Sequence, residues 1–432
     1  MALKMLSKDG FYGWTNLAVM FFFNLALMPM LLSFMYFLPF WVQDLGWNRG
    51  SISWAQTLSI VLSGITAPLV AIFIMKKGTR RAIVLGNILS VAGLVLLAYQ
   101  NHIWQLYLGV GILLGLGMSL GGMLAMMTVT NNWFVMKRTI ALSISMASMG
   151  FSGIIVGPSI MGLIGVVGWR NTYLILAAAA LLFCVIVPGL FLRNKPEDLG
   201  QVPDGPVSAS PVKAGLDASH YKHLYKTPVE FTAGEALRTR ALWLLVAFTS
   251  IQFLVMGGSG MYLVDFQLGI GIPKMTAAFI GSLFSAVMGI SQLGMGFLGL
   301  RFKMHSLAVW SMLLGITGFS MLLFAKSLSG MLAYAVIFGI SSGIQAIAMG
   351  NLMPDYFGRT EFPKIMGYTM PFSTAVSSIG GPITGYIRES TGDYMLAFKI
   401  MFGLLIVGFF CILYAKPPKH PSLEASEATQ LA

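Results

Sequence analysis

Charge is what this chain has least of. Asp, Glu, Lys and Arg make up 10% of its 432 residues, against 56% hydrophobic residues and a mean hydropathy of +0.79. So little polar surface excludes a water-soluble globule and requires lipid as the main solvent. Cysteine is scarce too: Cys184 and Cys411 both fall inside apolar runs, which excludes a disulfide framework and leaves them as small packing groups. The five histidines have no ligand spacing, and no phosphate-binding loop or paired nucleophile and base is visible. An enzyme is therefore not expected, nor a cofactor or a metal. Polar–apolar alternation is missing as well: residues 174–192 are apolar on every face, which excludes a β-barrel.

What is present is a series of apolar spans, each long enough to cross a hydrocarbon layer of ~30 Å as a helix. In the first half they cover residues 14–43, 51–75, 82–99, 103–131, 140–167 and 172–192. In the second they cover 242–268, 275–300, 307–325, 331–353, 365–387 and 394–415. The expected fold is an all-α membrane protein of twelve transmembrane helices, divided into residues 1–192, a linker 193–240 and residues 241–432. Linker prolines such as Pro203, Pro206, Pro211 and Pro228 predict an irregular tether, with a short amphipathic helix near its end at 232–240. The first span is too long for a cleaved signal and is expected to stay in the membrane.

The net charge of +12 sits on one side of these spans. Lys4, Lys8, Lys76, Lys77, Arg80, Arg81, Lys137 and Arg138 share a side with the basic residues of the linker. By the positive-inside rule that side is cytoplasmic, together with both termini, in a multi-pass protein of the plasma (cell inner) membrane. The same placement argues against a nucleic-acid partner.

The halves also repeat one another at an offset of about 223 to 225 residues. Leu45-Gly46 matches Leu268-Gly269, Trp133-Phe134 matches Tyr356-Phe357, Gly157-Pro158 matches Gly381-Pro382, and Trp169 with Tyr173 matches Tyr394 with Phe398. Two six-helix units of like orientation place a solute site between them near the midplane. Glycines 111, 115, 117 and 121, and 339 and 343, predict close helix contacts. Gly157-Pro158 and Gly381-Pro382 predict bends in spans 5 and 11.

Several motifs carry a resemblance. They are Asp9-Gly10-Phe11-Tyr12-Gly13-Trp14 before span 1, Trp133-Phe134 with Lys137-Arg138 before span 5, Gly168-Trp169-Arg170, and the run from Arg193 to Asp198. Together they resemble the major facilitator superfamily, and within it the monocarboxylate transporter and oxalate/formate antiporter branch, over the whole chain. The resemblance implies a secondary active transporter of a small organic solute, a monocarboxylate first, by alternating access, proton-coupled or exchanging, and acting as a monomer. A permease or exporter of a neutral or amphipathic compound is the alternative, and a non-transporting membrane sensor is the alternative of another class. Lys76 to Arg81 keep the cations of the superfamily's loop between spans 2 and 3, but Met75 stands in place of its Asp. The resemblance assigns gating to these cations, to Lys137 and Arg138, and to the bends at Gly157, Pro158, Gly381 and Pro382.

An anion at the midplane needs a fixed counter-charge. By the resemblance an Arg belongs in span 8, sometimes with a Lys in span 1 or span 11; this chain has Met295 and Ser373 at the span 8 and span 11 positions and no basic residue between Lys8 and Arg49. The spans expected to line the cavity (1, 4, 7 and 10) offer Asn24, Tyr36, Thr128, Gln252, Tyr262 and Gln345, each equally able to serve as interhelical glue. Met123, Met126 and Met127 suit either an adaptable wall or helix packing. Asp265, about one turn from the end of span 7, is the candidate for proton coupling, its other reading being a carboxylate at a helix end.

Overall fold

The computed structural model describes residues 10–418, apart from 48, 205–226, 228, 325 and 326. Asp9, Lys4, Lys8, Pro206, Pro211 and Pro228 lie outside the described residues, as does nearly half of the linker.

Among the described residues ten helices are long and apolar enough to cross a membrane. One of these stretches, Arg138–Phe191, has 54 residues; as a single helix it would run ~80 Å, far beyond the layer it must cross. Gly168, at φ 78° and ψ 162°, breaks it, a backbone geometry open to glycine alone without strain. A further crossing is made in two pieces, Phe362–Ser378 and Gly380–Thr391, which meet at Ile379. The described residues thus make twelve crossings. They are α1 (Gly13–Leu45), α2 (Arg49–Lys77), α3 (Thr79–Ala98), α4 (Ile103–Trp133), α5 (138–167) and α6 (169–191) in the first half. In the second half they are α7 (Arg240–Gly269), α8 (Lys274–Arg301), α9 (Met304–Phe324), α10 (Leu328–Phe357), α11 (the two pieces) and α12 (Met395–Tyr414). The chain is an integral, multi-pass membrane protein. Its outward faces are apolar, with Val166 and Met275 more than four-fifths exposed.

Near the second Gly-Pro pair, where a bend was expected, α11 is divided at Ile379, while α5 keeps helical dihedrals through Pro158 up to Gly168. A π-helical stretch, Tyr107–Leu114, interrupts α4, and a second, Leu181–Ile186, interrupts α6; neither was foreshadowed by the apolar pattern.

Contacts at repeated positions are alike. Trp41 and Tyr173 stack 6.4 Å apart, and Phe266 meets Phe398 at 5.2 Å. Arg170 lies over the Trp169 ring and Arg388 over Tyr394. Trp133 Nε1 donates to the Arg193 carbonyl at 3.0 Å, and the Tyr356 hydroxyl donates to the Ala415 carbonyl at 2.9 Å.

The halves meet along two antiparallel pairs, α5 with α8 and α2 with α11, and small residues bring the backbones together. A Cβ on Gly150 would fall 2.5 Å from the Gly289 Cα. Farther along, Gly296 faces Ser143 and Gly299 faces Thr139, while Gly64 faces Thr374 and Gly367 faces Ala71. These contacts fill the pairs from the terminus-bearing end to the middle. Past Ser285 the α8 face opens: Gly289 is buried, Ser285 half-buried, and Ala278 and Gly281 exposed. The molecule is closed at the end carrying its termini and open at the other.

The described parts of the linker pack against that closed end. Tyr12 donates its hydroxyl to the Phe191 carbonyl, and Phe11 packs on Trp133 and Phe134, so motifs far apart in sequence form one cluster. The Asp204 carboxylate accepts from three consecutive backbone amides, Val135, Met136 and Lys137, at 2.7–3.0 Å. Three donors converging on one carboxylate fix the start of the linker onto the loop before α5. The expected short helix is Ala233–Leu237, capped by Thr232 and Glu235 on each other's backbone amides.

Candidate transport cavity

Near the middle of the helices, where the α5–α8 contact ends, the halves enclose a cavity of about 310 Å³. Methionine is the commonest residue in its wall. Met28, Met123, Met146 and Met149 come from the first half, and Met256, Met288 and Met349 from the second. Unbranched thioethers conform to different apolar shapes at little cost, which suits a surface that must hold and release.

The polar part of the wall is concentrated on the second half, as Gln252 of α7, Gln292 of α8 and Gln345 of α10. All three are at most 4% exposed. Gln252 Nε2 donates to Ser342 Oγ at 3.4 Å. The amide oxygens of all three, and Nε2 of Gln345, are buried without a hydrogen-bond partner among the described residues. A buried polar atom left unpaired costs about 1–3 kcal/mol, and four such atoms belong to residues that line this one cavity. None of the lining residues is Asp, Glu, His, Lys or Arg. A second space of about 140 Å³ adjoins it, sharing Met123, Thr249, Phe253 and Met349, and is lined by Thr369, Ser373, Thr374 and Ser377 of α11.

Polar and charged groups close the end below. Arg138 Nη1 lies 2.8 Å from Asp355 Oδ1, joining α5 to α10 across the halves, with the two side chains only 5% and 14% exposed. Thr139 donates to Asn351 Oδ1 at 3.0 Å, and Arg359 donates to the Asn132 carbonyl at 3.4 Å. A crevice of about 490 Å³ lies here between Lys77, Thr128, Asn132 and Arg359 and the linker residues Asn194 to Asp198.

Of the residues singled out by sequence, Gln252 and Gln345 face the main cavity, Ser373 faces its neighbour, and Met123 lines both. The others lie elsewhere. Asn24 donates to Met126 Sδ and to the Ser145 carbonyl and hydroxyl, tying α1 to α4 and α5. Tyr36 packs its hydroxyl against Gly157, and Tyr262 packs on Tyr394 and Gly385 toward the open end. Thr128 donates to the Leu124 carbonyl and faces the lower crevice. Met295 is fully buried in the core, off the cavity wall. Asp265 is exposed near the end of α7.

Among the gating candidates Arg138 makes an ion pair across the halves. Arg80 donates its guanidinium to the Gly189 carbonyl and its backbone amide to Asn194 Oδ1, both within the first half and the linker start. Lys137 lies over the Trp14 ring, while Lys76, Lys77 and Arg81 are exposed. Pro158 and Pro382 are both exposed, and Gly381 packs near Met261. Gln292 escaped the sequence because polar wall residues were sought only on spans 1, 4, 7 and 10; its place one turn from Met295, where a basic residue was expected, was the available signal.

The Major Facilitator Superfamily model matches residues 15–328 and 267–431. Among curated relatives, monocarboxylate transporter 13 of Bos taurus is 24% identical over 441 residues, covering 99% of this chain and 96% of its own length. Monocarboxylate transporter 11 of Homo sapiens is 24% identical, covering 96% of this chain and 85% of its own length. Among solved structures, the proton:xylose symporter XylE superposes with a TM-score of 0.74 at 12% identity, covering 94% of this chain and 97% of that one. The closed end, the cavity between two six-helix halves and these matches agree: the chain belongs to the major facilitator superfamily, and it is a transporter rather than an enzyme.

Proposed function

We propose that this chain carries a small monocarboxylic acid with an apolar body, binding it in the methionine–glutamine cavity and exposing it alternately to either side of the membrane. The observation that carries the reading is the cavity itself: uncharged, mostly apolar, enclosed by both halves, with unpaired amide atoms on one wall. Names of relatives supply the carboxylic acid, since the curated matches are monocarboxylate transporters. Positive charge near the termini supports a cytoplasmic placement for the closed end, which makes the present state outward-open. The proposal takes the protein as a monomer in the plasma (cell inner) membrane, with protons as the coupling partner. Asp265, exposed and outside the cavity, is not assigned a part in solute binding.

The competing reading is a neutral amphipathic solute, which the missing cation favours. Uptake of radiolabelled acids and of their neutral analogues into vesicles bearing the purified chain separates the two, with and without a proton gradient. An inward proton gradient is expected to accelerate uptake of an acid. Transport of neutral compounds with no uptake of any carboxylate would overturn the acid in favour of the neutral solute.

A further inference from the structure

We propose that the three glutamines bind the solute's carboxyl in its undissociated form, O–H and C=O together, so that the proton enters the cavity as part of the solute. The inference rests on the acid-carrier reading above and names the chemical form that the site accepts. Of the four unpaired buried atoms, three are carbonyl oxygens, of Gln252, Gln292 and Gln345, and one is a donor, Nε2 of Gln345. A carboxylate has only acceptors. Placed here it would set negative oxygens against three carbonyl oxygens and leave those acceptors unpaired. An undissociated carboxyl has one donor and one acceptor on adjacent atoms, the complement of a primary amide. The O–H donates to a glutamine oxygen, and the C=O accepts from an N–H such as Nε2 of Gln345.

The electrostatics of the cavity point the same way. No Asp, Glu, His, Lys or Arg lines either the main cavity or the space beside it, on any of the helices that form them. An unpaired carboxylate in such surroundings shifts its protonation rather than remain ionised. In water at pH 7 an acid with a pKa of about 4.3 is undissociated in about one molecule in 500. That population penalty is tolerable, whereas nothing in the cavity neutralises an ion. The proton balance closes without a titrating side chain. On the open side the carboxylate takes a proton from water, the neutral acid crosses, and on the far side it returns the proton to water. One acid and one proton move together.

The test uses the purified full-length chain and three compounds sharing one isopentyl-type body: isocaproic acid, its primary amide isocaproamide, and isopentyl sulfonate, which stays anionic. Binding is read as thermal stabilisation between pH 5 and pH 8. The amide is expected to bind independently of pH, and the acid to lose about tenfold in apparent affinity per pH unit above its pKa. The sulfonate is expected not to bind. Gln292→Met and Gln345→Met are each expected to weaken the acid and the amide about tenfold or more, but the pH series needs only the wild-type chain. Acid affinity that does not change with pH, or sulfonate binding as tight as the acid's, overturns the undissociated form while leaving an acid carrier standing. Failure of both acid and amide to bind, alongside binding of a neutral solute without a carboxyl or amide, overturns the acid-carrier reading and this inference with it.

Discussion

The same two halves meet twice, and the two interfaces are built in opposite ways. At the closed end the groups that cross are paired: Arg138 with Asp355, Thr139 with Asn351, Arg359 with the Asn132 carbonyl. At the cavity, about three turns away along α5, no charge lines the wall and four amide atoms stand unpaired. Partners within the protein make an interface that holds by itself. Open hydrogen-bonding capacity makes one that a solute completes, and the difference locates where the latch ends and the binding surface begins.

Removing the latch is the largest disturbance available. Asp355→Asn leaves the Arg138 guanidinium buried and uncompensated, a loss of about 3–5 kcal/mol at such sites. The closed end is then expected to loosen, lowering the melting temperature. It should also speed thiol labelling of a Thr128→Cys reporter, since Thr128 is 3% exposed in the latched state. Labelling at the unlatched and latched rate alike would mean that the ion pair does not hold this end shut.

A smaller disturbance targets the boundary between the two interfaces. Gly150→Ala places a methyl 2.5 Å from the Gly289 backbone, and the helices must separate at a cost of about 1–3 kcal/mol. Stability and transport should both fall. Gly162→Ala on the same helix meets nothing within 4 Å and is the matched control, expected to stay near wild type. Equal effects of the two substitutions would erase the boundary.

The smallest expected effect is a pH response at the edge of the latch. Hydrogen bonding by Lys364 holds the Glu361 carboxyl below the usual carboxylate range, and the backbone amide of Ala233 donates to the same carboxylate at 2.6 Å. A lowered folded pKa means that this stabilisation is present above about pH 4.5 and is lost as pH falls through the lower folded value. The helix Ala233–Leu237 should then release, and Trp243, whose indole donates to the Leu237 carbonyl at 2.8 Å, reports it. The fluorescence change between pH 5 and pH 3 is expected in the wild type and reduced in both Trp243→Phe and Glu361→Gln.

Much of the architecture was legible because the bilayer imposes it. Apolar length and the glycine at 168 locate α5 and α6, and small residues such as Gly115 and Gly343 pack where their spacing implied, against Ser59 and Ser291. The cavity was legible only in part. Periodicity marks Gln252 and Gln345 as polar residues on long apolar helices, but the same holds for Asn24, whose amide is consumed by Ser145 and Met126. Whether a buried amide is glue or wall depends on which atoms the neighbouring helices satisfy, and that is a property of three-dimensional packing. The latch was obscured for a similar reason, since Arg138 gains its meaning from Asp355, more than two hundred residues away.

The glycine-to-glycine approach of α5 and α8 also acts as a fulcrum. Gly150 divides α5 into an arm of about 18 Å toward the latch and one of about 25 Å toward the open end, at ~1.5 Å per residue. A tilt of about 10° about that point moves the two helix ends in opposite directions by about 3 Å and 4 Å, enough to part an ion pair at one end and bring apolar side chains together at the other. A solute held in the methionine–glutamine cavity would sit beside that point, and its own contacts would shift least. The energy of a few hydrogen bonds there can bias a motion whose travel is felt across the whole thickness of the membrane.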